Sequence, residues 1–328
     1  MRLIAVKDLY FLSIICLIWI ASWLPSRAMI ACLARSIAFL AYRLSGTKRR
    51  FIEKNLSQAF DGKLREDQRR TIVKGVFYTF WRDVFSWLPS RAERAALKRA
   101  EVRGEEHLHE ALKNGKGVIL WETSGFARRF VAKQILHQKG FSVHQVHGPF
   151  DIGGFRTDDS SATLVRRSLI KRFFEDRERQ CVAEIINIPR SNSLAYMRVI
   201  LARLKENCII CISSEGKGGQ KLIPIRFLGG DEVFSTGMVS LARKSGASIL
   251  PIFCIQERSG QTTLIIERPV PIENDLDRER AVETSLTQYA RLLENYIKQY
   301  PEQYRNWHLL RMFARQQAFS QDLYRVQV

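Results

Sequence analysis

The sequence predicts an α/β fold: a mostly parallel central sheet flanked by helices, preceded by an N-terminal hydrophobic helical segment. Three observations lead there. From Gly117 onward, short apolar runs alternate with stretches of helical periodicity. Before that point, residues 51–114 place apolar side chains at helical spacing. At the start, residues 9–24, LYFLSIICLIWIASWL, contain no charged side chain.

Sixteen uncharged residues make roughly 24 Å of helix, somewhat short of the ~30 Å hydrocarbon core of a bilayer. Pro25 interrupts the run, and RAMIACLARSIAFLAYRL resumes it with arginines spaced along it. No small-residue cleavage site follows cleanly, so a removable signal peptide is not expected. The expectation is a membrane anchor followed by an amphipathic helix in the interface, together residues 1–45. GTKRR at 46–50 then puts positive charge on the cytoplasmic side. In the helical region that follows, Phe77, Phe80, Trp81, Phe85 and Trp87 form an aromatic face. It suits packing against the core, with a lipid-facing groove as the alternative.

The alternating region begins with the strand GVILW. A helix near 126–138, the strand FSVHQVH and a basic helix over 162–178 follow. CVAEIINI reads as a strand, SLAYMRVILARLKE as a helix, and NCIICISS as a strand that ends in the Gly-rich loop EGKGGQ. FSTGMVSLARKSG is a helix, while ASILPIFCIQE and QTTLIIERPVPI are strands. A long helix ended by Pro301 closes the pattern.

Lys plus Arg number 52 against 33 Asp plus Glu, a net charge of +19 that calls for a polyanionic partner: nucleic acid, anionic lipid or an acidic carrier. No nucleic-acid recognition motif accompanies the charge, so nucleic acid is not expected. The six cysteines lie in or beside apolar runs, as reduced core thiols do. Cys208 and Cys211 form a CxxC within a strand, where the two thiols point to opposite faces, and no second pair follows. Neither a metal nor a resident cofactor is expected.

In open parallel sheets the site lies beyond the carboxyl ends of the strands. That geometry collects Glu122, Thr123 and Ser124 after the first strand, His147 after the second and Glu215 after a later one. His147 has the side-chain type of a general base, and Glu122 of a base or an orienting carboxylate. Ser124 is a nucleophile if His147 reaches it. Each has a plainer reading: a loop histidine bonded to backbone, or an ion pair of Glu122 with Arg128 or Arg129. His144 should face away from His147, while His107, His109 and His137 fall on predicted helices. Arg128, Arg129 and Lys133 open a helix and can hold a phosphate there. Gly216 and Lys217, beside Glu215, offer backbone N–H groups and a cation to the same kind of ligand, or form a plain turn.

Several segments together resemble the lysophospholipid acyltransferase superfamily, and within it the lauroyl/myristoyl acyltransferases of lipid A biosynthesis. They are KRRFIEKNLSQAF, VRGEEHLHEALKNGKGVIL, LIPIRFLGG with STGMVSLARKSGASILPIF, LIIERPVPI and YPEQYRNWHLLRMF, in order over residues 45–313. The resemblance implies that residues 46–328 are an acyltransferase-like α/β domain and that His308 packs within the C-terminal pattern. It also implies a histidine base after the first strand and an acid five positions on. Aligned from Gly117, those positions hold Ser124 and Arg129, so the catalytic pair is replaced. An arginine usual before a proline after the second strand is here Gly148. The Glu–Gly pair that relatives place near the acceptor head group is matched by Glu215 and Gly216.

The expected function is transfer of a fatty acyl group from an acyl carrier protein or CoA thioester to a lipid or glycolipid hydroxyl. It would take place at the cytoplasmic face of the inner membrane. The alternative is a non-catalytic descendant that binds lipid or acyl carrier.

Overall fold

The computed structural model describes residues 3–123, 125–126, 128–148, 163–188, 195–213, 221–272 and 277–310. Helices α1 (Val6–Trp23), α2 (Arg27–Leu44), α3 (Gly46–Ala59), α4 (Glu66–Phe85) and α5 (Arg91–Leu97) precede β1 (Glu101–Arg103) and α6 (Glu105–Lys113). Next come β2 (Val118–Glu122), α7 (Arg129–Gln138), β3 (Val143–His147) and a π-helical turn, Arg166–Ile170, that runs into α8 (Lys171–Glu178). Then follow β4 (Glu184–Asn187), α9 (Ala195–Lys205), β5 (Ile209–Ser213), β6 (Leu222–Phe227), β7 (Gly230–Ser235), α10 (Gly237–Ser245), β8 (Ser248–Gln256) and β9 (Thr262–Ile266). The long helix α11 (Arg278–Gln299) leads into two 3-10 turns, Pro301–Gln303 and Arg305–His308.

The main sheet has the order β1-β9-β8-β2-β5-β3-β4. The expected mostly parallel sheet is present: β8, β2, β5, β3 and β4 all run the same way. Strand β9 pairs antiparallel with β8, and β1 parallel with β9. Only ERSGQ separates β8 from β9, too few residues for a crossover, so the connection is a hairpin. A second hairpin, β6–β7, turns through Leu228 and Gly229, both at positive φ (49° and 79°), the conformation favoured in two-residue hairpin turns.

Strand β2 is buried along its whole length, as a strand covered on both faces must be. Val118 and Leu120 pack with Val131 and Ile135 of α7 and with Leu108 of α6. Ile119 and Trp121 belong to the larger cluster on the other face, which includes Tyr289 of α11 and Val84 of α4. The Trp121 ring stacks on Tyr289 at a centroid distance of 3.6 Å. Phe77, Trp81 and Phe85 of α4, and Trp87 just beyond it, are buried in that cluster, so the aromatic face packs against the core.

The two N-terminal helices share this core. Ile14, Ile18 and Ala21 of α1 and Ile30, Ala34 and Ala38 of α2 lie in the cluster that holds Trp121. Near its start, α1 is tied to the turn before α8: the buried Asp8 carboxylate accepts from Arg166 Nε at 2.9 Å and Thr163 Oγ1 at 2.5 Å. The opposite faces of α1 and α2 expose Val6, Leu9, Trp19, Trp23, Phe39, Leu40 and Leu44. Among the described residues no single helix is long and apolar enough to cross a membrane; α2 and α3 together would be, but they are bent by 92°.

Trp121 fixes α11 to the strand that carries the site, yet its Nε1 has no acceptor among the described residues. Trp121→Ala is expected to cost about 3–5 kcal/mol. Trp121→Phe should cost markedly less, because it keeps the stack and removes a buried unsatisfied donor. Urea unfolding midpoints of the two variants check this; equal losses would contradict it.

Candidate active site

Side chains alternate across a strand, so Glu122 shares the face of Val118 and Leu120, and His147 shares that of Val143 and Gln145. Both therefore point from the carboxyl ends of parallel strands toward α7 and the end of α8. There they enter one buried ionic network. Arg129 Nη2 donates to Glu122 Oε1, and Gln145 Nε2 donates to the same oxygen at 3.0 Å. Lys133 Nζ lies 3.5 Å from Glu122 Oε2 and 3.3 Å from Glu178 Oε1. His147 Nε2 lies 2.8 Å from Glu178 Oε2. Glu122, Lys133, His147 and Glu178 are all at most 5% exposed.

Two carboxylates and two cations balance within this network when the imidazole is neutral, and that balance makes burial tolerable. Burial by itself would lift the Glu122 pKa, but Arg129 and Lys133 outweigh it and hold the carboxyl far below the ordinary range. Burial likewise opposes ionisation of Glu178, and Lys133 and His147 overcome it, leaving its pKa at about 2. Burial disfavours the Lys133 cation, yet Glu122 and Glu178 raise its pKa above the ordinary value. His144, on the other face of β3, pairs with Glu184 at 3.0 Å.

The loop after β2 is clamped from outside the sheet. The Arg305 N–H donates to the Gly125 carbonyl at 2.8 Å, and Phe126 pairs antiparallel with Tyr304. A Cβ on Gly125 would stand 2.2 Å from Tyr304 Cε2, so the close approach requires glycine. Asp83 of α4 completes the clamp: one oxygen accepts the Arg128 N–H at 2.7 Å and the other meets Arg305 Nη1 at 2.9 Å. Arg128 itself is left-handed at φ 70°. Its buried guanidinium donates to Gln256 Oε1 and Thr262 Oγ1 at 3.3 and 3.2 Å.

The structure thus brings Glu122, Arg129 and His147 into one network and turns Arg128 the other way. Arg128 and Arg129 donate from their Nη groups to partners inside the protein, and Lys133 lies between two buried carboxylates. Ser124, Glu215, Gly216 and Lys217 lie outside the described residues. His109 and His137 are exposed, and His107 is half-buried against the Ile266 carbonyl at 2.9 Å. Among the described residues no group of three acids, histidines or cysteines is placed to hold a metal. Sequence reasoning missed Glu178 and Asp83. The signal for Glu178 is its spacing: it continues the stripe of Ile170 and Phe174, so an acid falls on the apolar face of its helix.

An acid-paired imidazole at the end of β3 and the buried Lys133 of α7 thus meet behind a clamped loop in an α/β protein with a mostly parallel sheet. The chain belongs to the bacterial lipid A biosynthesis acyltransferase family, whose profile matches residues 2–140 and 161–313. Among characterised proteins it is similar to the phosphatidylinositol mannoside acyltransferase of Mycolicibacterium smegmatis, at 24% identity over 305 residues, 88% of each chain. It also resembles the protein of the same name from Mycobacterium tuberculosis (strain ATCC 25618 / H37Rv), at 25% identity over 190 residues, 55% of this chain and 52% of that one.

Among the described residues, Lys133 is the one cation that touches both carboxylates. Lys133→Met leaves Glu122 and Glu178 facing each other and is expected to cost about 3–5 kcal/mol at neutral pH. In the wild-type protein, the depressed Glu178 pKa contributes stability that is complete above its ordinary value of 4.5 and is lost as pH falls toward 2. Urea unfolding as a function of pH should show that slope, and Glu178→Gln should flatten it. An unchanged slope would contradict the assignment.

Proposed function

We propose that the protein is a membrane-associated acyltransferase that uses His147, oriented by Glu178, as its general base. The supporting observation is the buried 2.8 Å contact between His147 Nε2 and Glu178. With Nε2–H donated to that carboxylate, Nδ1 is the basic nitrogen of the ring. Nδ1 takes the proton of an acceptor hydroxyl as its oxygen attacks the thioester carbonyl, and Glu178 stabilises the imidazolium. Collapse of the tetrahedral adduct breaks the C–S bond, forms the ester and returns the proton to the leaving thiolate. Glu122 is too weak a base for this step and serves to fix Arg129 and Lys133. Ser124 is the alternative nucleophile, by a covalent route. Glu215, Gly216 and Lys217 are assigned to the acceptor head group. The donor is an acyl carrier protein or CoA thioester, and the acceptor a lipid or glycolipid hydroxyl. The relatives' names, which specify a glycosylated lipid, favour a glycolipid.

The exposed apolar residues of α1 and α2, next to the basic run at 46–50, favour seating on anionic lipid at the cytoplasmic face of the inner membrane. A second reading, a non-catalytic binder of lipid or acyl carrier, is favoured by Arg129. It stands at the family's acid position and is neutralised by Glu122.

Single-turnover transfer of a labelled acyl thioester to a panel of lysolipids and glycolipids tests the catalytic reading. His147→Ala and Glu178→Gln are each expected to lower the rate roughly 10²–10⁴-fold, and His144→Ala to leave it unchanged. Loss confined to Ser124→Ala would point to a covalent serine. Wild-type protein that binds lipid but transfers nothing would establish the second reading. For the membrane, Trp23→Glu combined with Leu44→Glu, at side chains 81% and 76% exposed, should weaken flotation with anionic vesicles at low salt. Wild-type protein that stays soluble under those conditions would contradict the seating.

A further inference from the structure

A separate set of basic side chains lies where α3 meets the C-terminal turn. Lys48 of α3 is half-buried over the rings of Phe77 and Phe80, at 5.4 and 5.2 Å from their centroids. It makes no hydrogen bond or ion pair with the described residues. Arg305 and His308 stand on the turn that α3 is fastened to: Asn55 Nδ2 donates to the Trp307 and Leu310 carbonyls at 2.5 and 3.1 Å. His308 Nδ1 lies 3.1 Å from the Arg305 carbonyl. Arg305 also carries the N–H that holds Gly125, so the group adjoins the loop after β2. The acid at hand is Asp83, and its two oxygens are committed to Arg305 and to the Arg128 N–H.

A cation withdrawn from water without a counter-charge is costly, and aromatic rings offset that only in part. We propose that Lys48, Arg305 and His308 form a binding site for a phosphate group beside the loop after β2. Two shifts agree with it. Burial and Lys48 bring the His308 pKa down to about 4. Burial and Arg305 lower that of Lys48. A bound anion would relieve both. The site needs no catalysis; only the suggestion that the phosphate belongs to the acceptor lipid rests on the acyltransferase reading.

Inorganic phosphate is titrated into the full-length protein by calorimetry, and phosphatidic acid is presented in phosphatidylcholine vesicles. Lys48→Gln, His308→Gln and, as a control, Lys74→Gln are compared with wild type. Lys74 lies over Tyr42, outside the group. Saturable binding that Lys48→Gln and His308→Gln weaken tenfold or more, and Lys74→Gln does not, supports the site. If this pattern appears only with phosphatidic acid, the source is a lipid head group; if with both, any phosphate enters. The His308 variant decides the matter if Lys48→Gln fails to fold. Binding in neither arm, or equal binding by all variants, overturns the proposal. Intact phosphate binding without acyl transfer would sink the catalytic reading and leave this one standing.

Discussion

The ammonium group of Lys133 is the interaction on which the site depends. It rises from α7 between two carboxylates that belong to different parts of the chain, Glu122 at the end of β2 and Glu178 at the end of α8. Without it, two negative charges would be buried near one another, and the charged form of each would be strongly disfavoured. With it, Glu178 stays ionised and able to hold His147, and the ends of β2 and β3 are drawn to the same helix. Where the family resemblance calls for an acid, Arg129 supplies a cation, and Glu122 takes it up. The imidazole–carboxylate pair of His147 and Glu178 stands two places along the sheet from β2, beyond β5.

The clamp on the loop after β2 is a separate device. Asp83, Tyr304 and Arg305 come from helix α4 and the C-terminal turn, and they hold backbone at Gly125, Phe126 and Arg128. The segment YPEQYRNWHLL therefore fixes the geometry of a loop about 180 residues earlier in the chain. The same turn also places Arg305 and His308 near Lys48, which joins the clamp to the cationic corner.

Much of the fold was legible because parallel strands buried on both faces leave short apolar runs that contrast with amphipathic helices. The β6–β7 hairpin and the three-residue β1 escaped, the first because its residues 222–227 and 230–235 mix charges with apolar side chains, the second because it is too short to show a period. The antiparallel turn of β9 follows from the short ERSGQ link. Within the site, Glu122 and His147 were legible from their places at strand ends. The partner of His147 was not, since Glu178 lies 31 residues away and is one of several acids in a charged helix. The pairing of Glu122 with Arg129 was legible as the plainer reading of that carboxylate, whereas the turn of Arg128 toward Gln256 and Thr262 was hidden.

The proposed base works only if Glu178 holds His147 in one tautomer. Long-range ¹⁵N–¹H NMR of the imidazole rings, in protein labelled at histidine, reads this directly. The neutral His147 ring should carry its proton on Nε2, and should lose that preference in Glu178→Gln while His144 is unaffected. A His147 ring protonated on Nδ1, or one indifferent to Glu178→Gln, would contradict it.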